Sequence, residues 1–376
     1  MPTTPPRVIA LGETMIMLGP PGHELLEHTP IFRALIGGSE ANVAVGLERL
    51  GVHAGWIGKL PRNALGRWVV NGTRRYGVDT SGVVWADEGR VGTFFVEFGA
   101  KPRPTKTIYD RAGSAATTLE ADDLNWDYIA QAEWLHLTGI TPATSETCRQ
   151  SVPEIARRAR ELGLKVSFDL NYRSTLWSPD EARDAWLDIL PHVNLLITTE
   201  ADAGILLSDS PPPVADAPTT FVGAHRTAVR GGGARPAHQD SDADVLSVVE
   251  TGRRAVSSAH GGQCPQREAT LRCLYDLYHS DAVVMTCRGD GSAAFDGTDV
   301  LTYHSWPLEP INRLGAGDAF AAGLLYGVIT ADLQTGLAYG NAMSVLKYTV
   351  PQNLPLIDRA DVEVLIAGRD GRSLVR

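Results

Sequence analysis

Short apolar runs alternate with amphipathic stretches over most of the 376-residue chain, a pattern typical of strands alternating with helices. The first run, Val8–Gly12, predicts a buried strand, and Thr14–Leu18 predicts a second strand. Further strands are predicted at residues 91–98, 106–110, 130–137, 165–169, 193–198 and 282–286, with a helix at 151–162. This alternation predicts an α/β fold in which helices cover both faces of a mostly parallel central sheet.

One helix is predicted with clear ends at residues 39–50, where apolar side chains recur at helical spacing. Ser39 stands where an N-cap belongs, and Gly51 stands where a terminating glycine belongs. Gly37 and Gly38 lead into this helix, and glycine lets a ligand approach the backbone closely. The segment therefore predicts a loop and helix start against which a small polyol could lie.

Residues 208–266 break the alternation. From Ser208 to Pro265 the only Leu, Ile, Phe, Tyr or Trp residues are Phe221 and Leu246, and runs of proline and of glycine interrupt the segment. Such a composition contributes little to a core, so we expect a low-complexity, mobile surface insertion with at most a short helix near residues 244–255. The whole chain, residues 1–376, is expected to form one domain that contains this insertion.

Three polar residues stand at or just past the ends of predicted strands: Asp169, Thr199 and Thr286. In open α/β sheets, ligands bind beyond the carboxyl ends of the strands. The three are therefore candidate site residues, with ordinary loop polarity as the alternative interpretation.

Composition narrows the functional classes. The chain carries 44 acidic and 34 basic residues, a formal net charge of -10, which argues against nucleic acid as a partner. It has neither the pattern of a signal peptide nor an apolar stretch long enough to span a membrane, so a cytoplasmic protein is expected. The four cysteines are far apart and suggest neither disulfides nor a zinc site.

A glycine turn at Gly315-Ala316-Gly317-Asp318 precedes a helix of small residues. The backbone N–H groups of such a turn, together with the helix dipole, form an anion pocket suited to a phosphoryl group. A carboxylate beside that pocket is explained if Asp318 accepts the proton of a hydroxyl that attacks phosphorus. The alternative interpretation is that Asp318 only caps its helix.

Other phosphate-binding motifs are missing from the sequence. Leu11-Gly12-Glu13-Thr14 follows the first strand in place of GxGxxG, and neither GxxxxGK[ST] nor GxSxG occurs. Residues 286–291, Thr-Cys-Arg-Gly-Asp-Gly, form another glycine loop, which could lie under a nucleotide.

At residues 37–51 and 314–320 the chain resembles the N-terminal and C-terminal signatures of the ribokinase or PfkB family of carbohydrate kinases. The resemblance covers about residues 7–367 outside the insertion. It implies a ribokinase-like, three-layer α/β fold with a small β-sheet lid, built from elements near residues 13–35 and 90–112.

Within that family, residues 109–116, 168–173 and 341–351 are similar to those of 2-keto-3-deoxygluconate kinases. The expected reaction is transfer of the γ-phosphoryl group of MgATP to a primary hydroxyl of this sugar acid. Arg111 and Arg173 lie in these motifs and could hold the substrate carboxylate or the γ-phosphate through bidentate hydrogen bonds. Surface salt bridges are the alternative for either arginine alone.

The resemblance assigns roles to particular residues. Asp318 would be the base, with the turn Gly315, Ala316 and Gly317 as the anion hole. The sugar would be bound by Gly37, Gly38, Asn42, Phe94, Tyr109, Arg111, Asn171 and Arg173. ATP would be bordered by Thr199, Thr286, Arg288, Gly289, Gly291, Gly315, Gly317 and Asn341. Mg²⁺ would be held largely through water, with Asp202 acting indirectly, and a monovalent cation is an optional further cofactor.

Several features depart from the family pattern. Phe94 stands where related kinases tend to have tyrosine, Arg288 replaces a usual glycine, and Thr199-Glu200-Ala201-Asp202 replaces the usual NxxE. The insertion at 208–266 is a further departure, which could be a harmless surface loop, a regulatory or oligomer contact, or a change that weakens the enzyme. A kinase of a neutral sugar such as fructose or ribose, or of a nucleoside, therefore stays open as an alternative, as does a catalytically weak or inactive sugar-binding regulatory protein. Because lids pair between subunits in some family members, a homo-oligomer through the lid is a further expectation.

Overall fold

The computed structural model describes residues 4–100, 102–208 and 264–368. Within these ranges the strands, in chain order, are β1 (Val8–Leu11), β2 (Met15–Gly19), β3 (Arg33–Gly37), β4 (Ala54–Ile57), β5 (Lys59–Pro61), β6 (Val84–Ala86), β7 (Thr93–Glu97), β8 (Lys106–Asp110), β9 (Trp134–Thr138), β10 (Lys165–Asp169), β11 (Leu195–Thr199), β12 (Ala282–Thr286), β13 (Ser292–Phe295) and β14 (Val300–Tyr303). The helices are α1 (Ser39–Leu50), α2 (Ala64–Arg74), α3 (Trp126–Ile129), α4 (Glu146–Glu161), α5 (Pro179–Ile189), α6 (Glu200–Leu206), α7 (Cys264–Tyr278), α8 (Ala316–Thr330), α9 (Leu333–Tyr348) and α10 (Arg359–Ile366).

The main sheet has eight strands in the order β14-β13-β12-β11-β10-β9-β1-β4. The strands from β12 to β4 pair in parallel, and β13 and β14 pair antiparallel at one edge. Asp169, Thr199 and Thr286 are the last residues of three adjacent strands, β10, β11 and β12. The predicted strand ends therefore do meet along one edge of the sheet.

Two apolar cores lie on opposite faces of this sheet, which makes the fold three-layered. On one face, Ile155 of α4, Trp186 of α5 and Leu271 of α7 pack with alternate strand residues. On the other face, Leu47 of α1 and Leu324 of α8 pack with the residues between them along the strands. Burial on both faces explains why the central strands are almost continuously apolar in sequence.

A smaller sheet lies in the order β3-β2-β7-β8. Its own small core contains Met15, Met17, Phe94 and Val96, which are all buried. The first two strands come from the stretch before α1 and the other two from residues 93–110, so both predicted lid stretches supply strands. The predicted fold class, with a large mostly parallel sheet and a smaller second sheet, is confirmed.

Several local predictions need correction. Gly38, with extended backbone, is the N-cap of α1, and Ser39 is its first helical residue. The predicted strand at 130–137 is shorter at its start, because residues 126–129 form α3 and β9 begins at Trp134. Gly51 does end α1 in the left-handed region, with φ 92°.

Most of the predicted insertion, with its candidate helix at 244–255, lies outside the described residues. The exceptions are Ser208 at its start and residues 264–266 at its end, where α7 begins at Cys264. In the described parts of the chain, no helix has both the length and the apolar character needed to cross a bilayer.

Candidate active site

The predicted glycine turn lies between two clefts. Gly315 adopts left-handed backbone with φ 80° and is the N-cap of α8. A Cβ atom added at Gly315 would lie 2.0 Å from the carbonyl oxygen of Asn353, so the chain passes close behind the turn. The N–H group of Ala316 points toward the carbonyl of Arg313 at 3.4 Å, while those of Gly317 and Asp318 have no acceptor among the described residues. These two are the donors that the turn can offer to an anion.

Asp318 lies in the first turn of α8 and is 8% exposed. Ser39 Oγ donates to its Oδ1 at 2.6 Å, and Asn42 Nδ2 donates to its Oδ2 at 2.6 Å. Burial raises the Asp318 pKa, whereas these hydrogen bonds and the nearby cations Arg173 and Lys347 lower it. The carboxylate is thus held in one orientation at the floor of the first cleft.

The first cleft, of about 730 Å³, lies between the small sheet and the main sheet. Seven of the predicted sugar-binding residues line it together with Gly315 and Asp318: Gly37, Gly38, Asn42, Phe94, Tyr109, Arg111 and Arg173. The Phe94 ring is stacked on Tyr109 at 5.5 Å between centroids, and a Cβ atom at Gly37 would lie 2.7 Å from the Phe94 ring. Glycine at residue 37 thus makes room for the aromatic wall.

The two predicted arginines have different surroundings. Arg111 forms a buried ion pair with Glu13, at 2.5 Å from Nη2 and 2.8 Å from Nε, and Ser114 Oγ donates to the same carboxylate at 2.6 Å. The side chain of Arg173 has no hydrogen bond or ion pair with any residue that the structure describes, although it lines the cleft. Arg173 is therefore the cation in the cleft that is left without a close anionic partner.

Three carboxyl groups lie close enough to Arg173 for its charge to affect their pKa values. Burial raises the pKa values of Asp169, Asp202 and Asp318, and with repulsion from the other two carboxylates that of Asp169 reaches about 8, while Arg173 opposes the rise at all three. Asn171, which the sequence places in the sugar site, donates to Ser39 Oγ at 3.2 Å and to Asp169 Oδ2 at 3.3 Å. It thus lies behind the cleft wall, where its contact with Ser39 connects β10 to Asp318.

The second cleft, of about 1770 Å³, lies on the other side of the turn. All the predicted ATP residues except Gly315 line it: Thr199, Thr286, Arg288, Gly289, Gly291, Gly317 and Asn341. The side chains of Trp306, Phe320 and Tyr348 add an apolar surface to its wall. Such a surface suits the base of a nucleotide, and the turn would then face its phosphates.

Two residues of the second cleft differ from expectation in detail. Arg288 adopts left-handed backbone with φ 52°, which explains why glycine suits this position better. Both amide hydrogens of Asn341 are used within the protein, since Nδ2 donates to Ser292 Oγ at 2.6 Å and to the Leu337 carbonyl at 2.8 Å. Only the carbonyl oxygen of Asn341 is left for a ligand.

Asp202, the predicted indirect metal residue, is buried at 8% exposure. Its Oδ2 accepts a long hydrogen bond, 3.4 Å, from the N–H group of Tyr172, and Thr199 Oγ1 caps α6 by accepting from the Asp202 N–H group. Glu200, and not Asp202, lines the second cleft, where it is paired with Arg267 at 2.5 Å. Within the described chain no three His, Cys, Asp or Glu side chains converge on a direct metal site.

Sequence reasoning missed several residues of the site. The sequence predicts Ser39 as a helix cap, whereas its hydroxyl donates to Asp318. Glu13 lies in the stretch that does not match a nucleotide-binding motif, and it pairs with Arg111. Glu40 is buried between the hydroxyls of Thr138 and Thr141, which donate at 2.7 and 2.9 Å. Lys347, 0% exposed, lies near Asp318. A lysine among the apolar residues of α9 was the one available signal for it.

The glycine turn with its carboxylate, between a cleft under a small sheet and a second cleft at the strand ends, defines a ribokinase-like sugar kinase. Residues 5–219 and 235–353 match the pfkB family of carbohydrate kinases. The chain belongs to this family, and the prediction of an ATP-dependent carbohydrate kinase is confirmed.

Similar proteins include a 2-dehydro-3-deoxygalactonokinase from Haloferax volcanii, 34% identical over 96% of this chain and 97% of its own length. A 5-dehydro-2-deoxygluconokinase from Bacillus velezensis is 27% identical over 93% of this chain and 91% of its own. Among solved structures, 2-dehydro-3-deoxygluconokinase from Thermotoga maritima superposes with a TM-score of 0.77 at 28% identity, covering 97% of this chain and 99% of that protein. The predicted similarity to 2-keto-3-deoxygluconate kinases is confirmed.

Proposed function

We propose that this enzyme transfers the γ-phosphoryl group of MgATP to the primary hydroxyl of a keto-deoxy sugar acid, with 2-keto-3-deoxygluconate as the substrate and its 6-phosphate as the product. The observation that carries the substrate class is Arg173, an unpaired cation on the wall of the first cleft. A sugar carboxylate would supply the missing anion. The names of the three relatives also denote kinases of dehydro-deoxy sugar acids.

In this proposal Asp318 is the general base. The substrate hydroxyl would lie beside its carboxylate, which Ser39 and Asn42 already orient. As the hydroxyl oxygen forms its bond to the γ-phosphorus, its proton passes to Asp318, and the bond from phosphorus to the bridging oxygen breaks to release ADP. The N–H groups of Gly317 and Asp318 would stabilise the charge on the transferring group.

The second cleft would hold ATP, with its phosphates directed at the turn and its base against the apolar wall. Mg²⁺, when bound to the phosphates, neutralises part of their negative charge. The residues fit a water-mediated ion better than a direct one, because Asp202 is buried against Tyr172 and offers no cluster of ligands. A monovalent cation stays a prediction, which titration with potassium tests.

The small sheet would act as the lid of a single catalytic domain. Phe94, Tyr109 and Arg111 belong to it or to its end, and all three line the first cleft. Closure over the sugar would exclude water from the transferring phosphoryl group. Pairing of two chains through this sheet also stays a prediction, for which sedimentation of the purified protein is the test.

The test is an ADP-release assay with MgATP and separate candidate acceptors. These are 2-keto-3-deoxygluconate, its C4 epimer 2-keto-3-deoxygalactonate, gluconate, fructose, ribose and adenosine. We expect the highest kcat/KM with 2-keto-3-deoxygluconate, and mass and phosphorus NMR spectra of the product should show one phosphate on C6. A preference for the epimer would keep the sugar-acid proposal and change its stereochemistry, whereas a preference for a neutral acceptor would refute it.

Two variants test the roles of individual residues. Asp318→Asn should lower kcat by about 10²- to 10⁴-fold, because the amide cannot accept the proton. Arg173→Met should raise the KM for the sugar acid by about 10- to 100-fold, the range expected for one charged hydrogen bond. The same variant should change the KM for a neutral acceptor much less. Wild-type kcat in Asp318→Asn would remove Asp318 as the base, and equal KM effects would remove the carboxylate contact.

The ion pair of Arg111 with Glu13 changes what that arginine can do. Arg111 already shares its charge with a buried carboxylate, so it offers a substrate carboxylate less attraction than Arg173 does. We therefore expect Arg111→Ala to raise the KM for the acid more than for a neutral sugar, but by less than Arg173→Met does. A larger effect at Arg111 would reverse this order of the two arginines.

A further inference from the structure

Lys347, in the last turn of α9, is a buried charge that the proposed reaction does not yet use. Its side chain is 0% exposed, and its Nζ donates one hydrogen bond, to the Val350 carbonyl at 3.3 Å. No carboxylate of the described chain lies within ion-pair distance of it. Burying an ammonium group without a close anion destabilises a protein, so an apolar side chain at this position would be the stabler choice.

The position of Lys347 is directly behind the glycine turn. A Cβ atom added at Gly315 would lie 3.4 Å from Lys347 Cε, on the same side as the Asn353 carbonyl. Asp318, three residues further along the turn, attracts the ammonium group and raises the Lys347 pKa, while burial lowers it to about 8. The same attraction lowers the pKa of Asp318, so the two groups favour each other's charged forms.

We propose that Lys347 is a positioning residue, a built-in cation behind the anion-binding turn that keeps Asp318 ionised and adds positive potential where the phosphoryl group is transferred. This inference rests on the proposed role of Asp318 as the base. The positive charge behind the turn would then come from the side chain of Lys347 and not from a bound ion.

Other charged groups also face Asp318, and they shift its pKa in different directions. Glu40 from α1 and Asp169 from the end of β10 repel its carboxylate when they are ionised, and Asp318 in turn raises the pKa of each. Arg173, from the loop after β10, is the second cation that favours the ionised form. Arg173 lines the open cleft and would be engaged by the substrate carboxylate, so Lys347 is the cation that continues to face Asp318 when substrate is bound.

The first experiment compares pH profiles of kcat for the wild type and Lys347→Met, whose unbranched side chain keeps most of the packing. In Lys347→Met we expect the acidic limb of the kcat profile to lie about one to two pH units higher than in the wild type. At pH values below this limb, kcat should therefore be about 10- to 100-fold lower. Leu346→Ala is the control, since it removes a partly buried apolar side chain from the same helix turn without changing charge. It should lower thermal stability but leave the limb in place.

The second experiment uses Lys347→Ala, which leaves a cavity the length of the lysine stem. Ammonium chloride or potassium chloride at about 100 mM should raise the kcat of this variant several-fold, because a small cation can enter the cavity. Tetramethylammonium chloride at the same concentration should not raise it, because this cation is too large. Each salt is also tested on the wild type, and the rescue is the gain beyond its effect there. Rescue that differs between the small and the bulky cation supports a charge at this position.

The results separate this inference from the proposed function. If Asp318→Asn is inactive while Lys347→Met has the pH profile of the wild type, Lys347 only fills space and the inference is wrong. The same holds if Lys347→Met resembles Leu346→Ala, with lower stability and an unmoved limb, or if no salt rescues Lys347→Ala. If Asp318→Asn keeps wild-type kcat, the proposed base itself fails, and Lys347 has no base to tune.

Discussion

Replacing Gly315 by alanine adds one methyl group at the start of α8, where the backbone cannot accommodate it. The left-handed conformation, φ 80°, costs an L-residue about 1–2 kcal/mol. The added Cβ would also lie 2.0 Å from the Asn353 carbonyl oxygen, well inside the 3.4 Å at which ordinary contact begins, so the turn or the loop behind it must move. With about 1–3 kcal/mol for overpacking, the free energy of unfolding should fall by about 2–5 kcal/mol.

The same displacement should also lower kcat. A shift of about 1 Å in the turn misplaces both the N–H donors and Asp318, for which a loss of about 10²-fold in kcat is expected. Urea titration gives the stability, and the ADP-release assay at saturating substrates gives kcat. A variant that keeps wild-type kcat despite the lost stability would show that the turn does not position the reacting groups.

Two glycines serve as matched controls for Gly315→Ala. Gly51, at the end of α1, has φ 92° with nothing within 4 Å of an added Cβ, so Gly51→Ala carries the backbone strain without the clash. It should cost about 1–2 kcal/mol and leave kcat unchanged. Gly317 has open space around an added Cβ and lines the second cleft, so Gly317→Ala should keep the stability and raise the KM for ATP.

Further predictions concern the buried charges. Glu13→Gln should lower the free energy of unfolding by about 3 kcal/mol, since it leaves Arg111 without a charged partner, and adding Arg111→Met should recover more than half of the loss. Purely additive losses would contradict the pairing. Because the pKa values of Asp169 and Glu40 are raised to about 8 and about 7, the folded protein binds protons that the unfolded chain releases, so unfolding free energy should fall as pH rises from about 5 to 8. Asp169→Asn should flatten this slope in urea titrations, and an unchanged slope would refute the assignment.

Among the strands that the sequence predicts, those of the main sheet are buried on both faces, whereas β8 of the small sheet is exposed throughout. Strands such as β10 and β12 are continuous apolar runs, and α1 carries a helical period and a terminating glycine. The apolar pattern does not predict β3, β4 or β13. Strands β4 and β13 are buried but only four residues long, and β3 begins with exposed residues. Their pairing depends on distant strands, which local pattern does not reveal.

The residues of the site also differ in how well the sequence alone predicts them. The turn at Gly315 and the carboxylate after it can be recognised from adjacent residues. The groups that orient that carboxylate, Ser39 and Asn42, are 279 and 276 residues away in sequence, and Glu13 is 98 residues from Arg111. Only the fold brings these partners together, so a sequence can nominate the reacting group more readily than the groups that control it.

Ser39 shows how the same residue can suit two structural roles. At the start of α1 its side chain could accept from the helix backbone, which is the usual use of serine there. Here Gly38 takes the N-cap position without a side-chain cap, and the Ser39 hydroxyl donates to Asp318 while accepting from Asn171. With glycine at the N-cap, the helix loses roughly a few tenths of a kcal/mol relative to a side-chain cap, and Asp318 gains a fixed orientation. Because that exchange weakens a helix and strengthens the hold on one carboxylate, it favours a catalytic role for Asp318 over a merely structural one.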